Sequence, residues 1–444
     1  MGVIYTQQEI NDSLKGMAPF ITGDLGDAKT GGHGTGCATV AAANDNNKKA
    51  MVGVAPKADL IIVRAADDTV DEDGLPHASL LNQICAHVLK LAKDHNKPVV
   101  LSCSFGTNSN VRPGRLIEDR QLSERFPLDK PGQAICISAG NANELKTQAH
   151  AVLDEKGTSQ KITWVSPGLT NTIMLFFNTD DKKAIKLEGP YAQRITDSLV
   201  YNPITKGWQT DPTKAPKVGD KSADPPDTDY LIASSAGGKK ITVDCFLNGT
   251  AQFIEPAFSR ARTVGSPGRT ANAITVGSYD WNNVFQDRVL ATWSSGTGGA
   301  EYHNMVIGQL SSYSSRGPGI GDYQPGTSKP DVVSPGEYFT VHYPQQFLRA
   351  QKKQDVNFFD GTSAATPYTA GVIALMMEAK RDLTIAQIRD MFTKHVLPRS
   401  NSDAFVKDSF AQYGPLPNGA WGYGRLNRAA VEGILDDILA QSKK

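Results

Sequence analysis

The spacing of apolar positions in this chain switches between two periods. Leu80, Ile84, Val88 and Leu91 recur at helical intervals, which predicts a helix over 77–95. Short continuous apolar runs flank it: residues 60–64 (L-I-I-V-R) after a turn, and P-V-V-L-S-C from Pro98. From Gly132 the plan repeats as G-Q-A-I-C-I-S, ending in A-G-N. Strands that are apolar throughout, joined through a helix, predict a parallel α/β sheet covered on both faces. Functional loops are expected at the C-terminal ends of such strands, here 102–106 and 138–141.

The texture changes after about residue 145. I-T-W-V, I-M-L-F-F, A-I-K-L, Y-L-I-A and I-T-V-D-C-F-L are short β-like runs separated by polar turns, and 201–229 is rich in Pro, Asp and Lys. No helix-length periodicity is evident there, so an inserted β-sandwich is expected over 150–262, between an α/β part at 1–149 and a second at 263–444. The α/β texture returns in A-I-T-V-G from Ala273 and K-P-D-V-V-S-P-G from Lys329. An apolar helix is predicted over 366–380. A second begins at Thr384, a suitable N-cap, with Leu383 placed to staple against Ile388. Val431, Ile434, Leu435 and Ile438 mark one face of a terminal amphipathic helix over 429–440.

Composition narrows the functional classes. The 444 residues carry 46 Lys+Arg and 46 Asp+Glu, so no basic excess points to nucleic acid or an anionic membrane. No apolar run approaches the roughly 20 residues of a spanning helix. The five cysteines are dispersed without a C-x-x-C pair and read as free buried thiols, which favours a reducing, cytoplasmic setting. No secretory leader is evident after Met1. The glycines around His33 do not spell a phosphate loop, since no G-K-[ST] follows.

Two stretches are richer in small residues than folding alone requires. G-T-S-A-A-T-P surrounds Ser363 at the entrance of a helix, where a cap would need one such residue. G-G-H-G-T-G-C-A surrounds His33 at the start of another. Glycine costs helix stability, so its density there implies close backbone approach or unusual dihedrals. A serine at a helix N-terminus and a histidine facing a cleft could form a nucleophile and its base. From the residues alone, a glycine-rich turn with an incidental histidine carries about equal weight.

Four stretches together resemble subtilisin-like serine proteases, in order along the chain. They are G-H-G-T-G-C-A at Gly32, S-A-G-N at Ser138, S-S-Y-S-S-R-G-P at Ser311 with K-P-D-V-V-S-P-G, and G-T-S-A-A-T-P at Gly361. The resemblance implies a parallel sheet flanked by helices, interrupted by a jelly-roll-like domain as in the clostridial spore-associated branch of the family. It implies a serine endopeptidase in which Ser363 attacks the scissile carbonyl, His33 is the base, and Asn141 donates to the oxyanion. It also implies that Ser102, Ser104, Phe105 and Gly106, with Ser138, Ala139 and Gly140, bind protein or peptide substrate in extended form. No cofactor or metal ligand set is implied, although family members often carry structural calcium. The acidic stretch D-D-T-V-D-E-D-G from Asp67 reads more readily as a solvated loop. Some members of that branch have lost catalytic residues and act as signalling pseudoproteases, which is the alternative for this chain.

The family's third residue, an aspartate in a D-x-G context at the end of the first strand, has no counterpart in the sequence. Gly2 and Val3 match the residues that follow it, which places the aspartate one position upstream of Met1. Asp24 and Asp27 lie too close to His33 for that role, and Asp12 lies in an unsuitable N-D-S-L context.

Overall fold

A computed structural model describes residues 5–17, 32–44, 52–63, 78–106, 115–166, 171–203, 206–218, 228–236, 238–254, 259, 261–281, 307–317, 329–337, 339–342, 356–396 and 413–441. Its centre is a parallel sheet in the order Val99–Cys103, Gln133–Ser138, Ile274–Tyr279, Val332–Pro335. Leu101 lies opposite Ile135, Ile274 opposite Cys136, and Val276 opposite Val332. Every residue of Ile274–Tyr279 is buried, which is why these strands are apolar on both faces.

Helices close both sides. The predicted 77–95 helix is Ala78–Asp94, with Leu81, Cys85 and Val88 in the core. Thr362–Ala379 crosses the sheet with Val372, Ile373 and Met376 fully buried, each worth about 1.5–3 kcal/mol of apolar burial. It starts four residues earlier than its apolar period suggests, a difference that matters for the site. Ile385–His395 begins with the expected cap: Thr384 Oγ1 accepts from Gln387 N at 3.2 Å, and Gln387 Oε1 accepts from Thr384 N at 3.0 Å. Arg428–Gln441 packs Ile434 and Ile438 into the same core.

The insertion forms two antiparallel sheets with a core of their own. One runs Gln252–Phe253, Gln160–Val165, Thr228–Ser235, Ile185–Glu188. The other runs Gln148–Leu153, Ile241–Asn248, Asn171–Phe177, Gly207–Thr210, Leu199–Asn202, with Lys217–Val218 beside Asn171–Phe177. Trp164, Phe177, Leu231, Val243 and Phe253 fill the space between them. A helix not foreseen in the sequence, Ala192–Ser198, buries Ile195 against this core; its seven residues are too few for a readable period. Entry and exit lie together, since Phe253 N donates to Lys146 O at 2.7 Å and Ser259 N to Gln148 O at 3.0 Å. Asp244, 2% exposed, is held between His150 Nδ1 at 2.6 Å and Arg262 Nη1 at 3.3 Å, fastening the insertion to the chain that leaves it.

The strand expected over 60–64 is not formed. Residues 60–63 pair with no strand, Ile62 is 72% exposed, and Arg64 lies outside the described residues. Among the described residues no strand lies alongside this apolar run to complete a ladder with it.

Candidate active site

The small residues around Ser363 answer to packing. Gly361 adopts φ 96°, a left-handed value that favours glycine, and an added Cβ would lie 3.0 Å from Asn141 Nδ2. Ala364, Ala365 and Thr366 are each 0% exposed, so the first turn is pressed into the protein while Ser363 keeps some exposure. Pro367 lacks the N–H that would bond the carbonyl four residues earlier, which is that of Ser363. That carbonyl accepts instead from Ser104 Oγ at 2.9 Å and from Cys37 Sγ at 3.6 Å.

His33 opens the helix His33–Ala42, behind Gly32 in the left-handed conformation at φ 75°. Its ring is exposed and stands edge-on to Phe359, with centroids 5.4 Å apart. Gly36 makes room for that ring, since a Cβ there would lie 3.0 Å from it. One turn along, Cys37 Sγ is 3.9 Å from His33 Nδ1 as well as touching the Ser363 carbonyl. Cys37 thus links the two motifs, a role the sequence did not suggest. Its i+4 position after His33 was the available signal. Ser363 Oγ donates to Ser104 O at 3.4 Å, and no Ser363–His33 hydrogen bond is formed in this conformation.

Asn141 sits in the loop after Gln133–Ser138. Its Oδ1 accepts from Thr362 N at 3.1 Å and Thr362 Oγ1 at 2.8 Å, and Thr362 Oγ1 accepts from Gly140 N at 3.2 Å. The carboxamide is therefore oriented with its oxygen on the helix start and its NH₂ towards Gly361. Ala364 N and Ala365 N both turn to Gly361 O, which leaves the Ser363 N–H as a first-turn donor without an acceptor among the described residues. Two donors beside a helix N-terminus can stabilise a developing negative charge.

The substrate-side residues are brought together from two strand ends. Ser104, Phe105 and Gly106 follow Val99–Cys103; Ser138 ends the neighbouring strand, and Ala139 and Gly140 follow it. Ser138 Oγ donates to Phe105 O at 3.4 Å. Ser102 and Gly106 are exposed, whereas Ser138 and Ala139 are buried. Asp12 lies in the helix Gln7–Leu14 and accepts from Gln8 Nε2 at 2.7 Å, whereas Asp24, Asp27 and the acidic stretch 67–74 lie outside the described residues. Among the described residues no group of three His, Cys, Asp or Glu side chains is arranged to hold a metal, and no helix is long and apolar enough to cross a membrane. Among the described residues no disulfide is formed, and burial pushes the Cys85 thiol up to about 11.

Serine protease AprX of Bacillus subtilis (strain 168) is 32% identical over 137 residues, which are 30% of this chain and 26% of AprX. Subtilisin-like protease SBT1.6 of Arabidopsis thaliana is 29% identical over 136 residues, 29% of this chain and 17% of that protein. The matches therefore span about a quarter or less of these relatives. The structure of the Clostridium perfringens CspB protease superposes with a TM-score of 0.69 at 20% identity, over 98% of this chain and 87% of that one, a likeness of fold. The Subtilase family model matches residues 19–175 and 201–424, and with it the order of the four motifs and the parallel sheet have one explanation: the chain belongs to the subtilase family.

Proposed function

We propose that this chain is the body of a serine endopeptidase that hydrolyses extended peptides through an acyl-enzyme. The carrying observation is the first turn of Thr362–Ala379, where Ser363 lies beside the Asn141 carboxamide and a free backbone N–H, next to the helix that presents His33. In this reading Ser363 Oγ turns from Ser104 O to His33, which takes its proton and returns it to the leaving amine. The tetrahedral oxyanion forms between Asn141 Nδ2 and Ser363 N. The backbone at 104–106 pairs with substrate, a mode nearly blind to side-chain identity. Completion of the triad calls for an aspartate on a strand added at the open edge of Val99–Cys103. The exposed apolar residues 60–63 would pack beside that strand, and its C-terminal end would reach His33.

The present orientation of Ser363 Oγ towards Ser104 O favours a second reading, a cleft that binds peptide without turning it over. Expression behind an N-terminal extension that supplies an aspartate-bearing strand separates the two. A rise in kcat/KM of at least about 10³ on an unstructured peptide, abolished by Ser363→Ala, is expected for the endopeptidase. Equal activity without the extension would move the acid's role to Asp24 or Asp27. Inactivity in both forms would support the binding groove.

A further inference from the structure

Behind the nucleophile loop lies a hydrogen-bonded chain that the proposed reaction does not use. Gly361 N lies 3.2 Å from Tyr313 Oη, Tyr313 Oη 3.1 Å from Ser278 Oγ, Ser278 Oγ 2.9 Å from Ser311 Oγ, and Ser311 Oγ 2.8 Å from Asp280 Oδ1. Each hydroxyl has one proton, and the Tyr313 proton has two acceptors in reach, Ser278 Oγ and Gly336 O at 3.4 Å. At one end is an amide that can only donate. At the other, an ionised carboxylate can only accept. Ser311 then donates to Asp280, Ser278 to Ser311, and Tyr313 to Ser278 or to Gly336 O, and either choice leaves the Tyr313 oxygen open to the Gly361 N–H. Gly361 precedes Ser363 by two residues and its amide also reaches Gly336 O at 2.8 Å.

We propose that Tyr313 is a positioning residue for the nucleophile loop, and that the Asp280 carboxylate keeps the Tyr313 oxygen open to Gly361 by drawing the Ser311 and Ser278 protons towards itself. The proposal rests on the endopeptidase reading only for its bearing on rate; the positioning itself is a property of the fold. Gly336 completes the cradle, because a Cβ there would lie 1.9 Å from Ser278 Oγ.

Asp280 is 6% exposed, and burial, opposed by the Ser311 hydrogen bond, pushes its carboxyl up to about 6. Glu337, 2% exposed and with Oε2 unpartnered, lies beside Tyr313. Burial chiefly, then Asp360 and Asp280, push it up to about 8 against a hydrogen bond from Tyr313 that favours its anion. Tyr279, next to Asp280 in the chain, has the Arg425 guanidinium 5.9 Å over its ring and Tyr368 of the nucleophile helix as a neighbour, and burial holds its hydroxyl well above the usual range. Between about pH 6 and 8, Asp280 is an anion and Glu337 a neutral acid. Below that window a protonated Asp280 can donate into the relay, and the Ser278 proton takes the oxygen that Gly361 uses. Above it an ionised Glu337 competes for the Tyr313 proton.

The test is amide hydrogen exchange of residues 359–365 in the full chain, expressed as protection factors from pH 5 to 9. Labelling of Ser363 by a fluorophosphonate, with Ser363→Ala as blank, is read alongside. The parent is expected to show protection that rises through about pH 6 and falls through about pH 8. Tyr313→Phe should lower it roughly three- to tenfold at pH 7, as the loss of one hydrogen bond implies, and slow labelling by a similar factor. Asp280→Asn, which still accepts but does not titrate, should keep the pH 7 value and lose only the lower limb, and Glu337→Gln only the upper. Unchanged protection in Tyr313→Phe, or limbs that persist in both amide variants, would overturn the proposal. So would a parent that does label, but no faster than Tyr313→Phe. A parent that does not label at all while its protection responds as described would defeat the endopeptidase reading and leave the positioning role standing. If Tyr313→Phe fails to fold, the two isosteric amide variants decide.

Discussion

Replacing Asp331 with asparagine should cost the fold about 3–5 kcal/mol, the range for breaking a buried ion pair from one side. Its side chain is 4% exposed and sits between Lys329 and Arg389. Oδ2 accepts from Lys329 Nζ at 2.7 Å and from Thr275 N at 2.7 Å, and Oδ1 accepts from Arg389 Nε at 2.9 Å. Lys329 also donates to Ala273 O at 2.7 Å, and Arg389 to Ala271 O at 2.6 Å and Ala273 O at 2.9 Å. The carboxylate therefore ties the start of Val332–Pro335 to Ile274–Tyr279 and to the Ile385–His395 helix. An asparagine keeps the shape and an acceptor, so the loss is charge compensation: the buried Lys329 and the half-buried Arg389 lose the carboxylate that joins them. Urea unfolding at pH 7 measures the cost as a lower midpoint at constant slope. Adding Lys329→Met to Asp331→Asn should recover part of it by removing one of the stranded cations. A cost under about 1 kcal/mol, the value of an exposed pair, would refute the reasoning. The pH dependence has a definite sign. Burial opposes ionisation of Asp331, but Arg389 and Lys329 outweigh it and hold the carboxyl below its ordinary range. The resulting stability is fully present above the unfolded carboxylate value near about 4 and is lost as pH falls through the folded value.

Gly361→Ala forces a side chain into φ 96° and towards Asn141 Nδ2. Thermal melting should show a loss of about 1–3 kcal/mol, and labelling of Ser363 should slow more than the melting shift explains. Cys37 is the one cysteine of the five that is not fully buried, and it touches both His33 and the Ser363 carbonyl. Iodoacetamide should therefore modify Cys37 first and suppress Ser363 labelling, and Cys37→Ser should resist the suppression. Mass spectrometry of the alkylated peptide checks the site.

Local patterns determined much of this protein. The 3.6-residue spacing of Leu80, Ile84, Val88 and Leu91 and the unbroken apolar strands were enough to place a covered parallel sheet, because helix and strand periods are written between near neighbours. The Thr384–Gln387 cap was legible for the same reason: both partners lie within one turn. His33, Asn141 and Ser363 stood out because glycines and small residues crowd only where backbones approach closely. The pairings that make these residues a site were not legible. Thr362 meets Asn141 across 221 residues of sequence, Cys37 meets Ser363 across 326, and Ser104 meets Ser363 across 259. No period or turn signal encodes contacts at that range; they exist because parallel strands deliver their C-terminal loops to one edge of the sheet. The apolar run 60–63 is the converse case. Its composition asks for a strand, but a strand is a property of a pair, and whether a partner lies alongside is decided by tertiary structure alone.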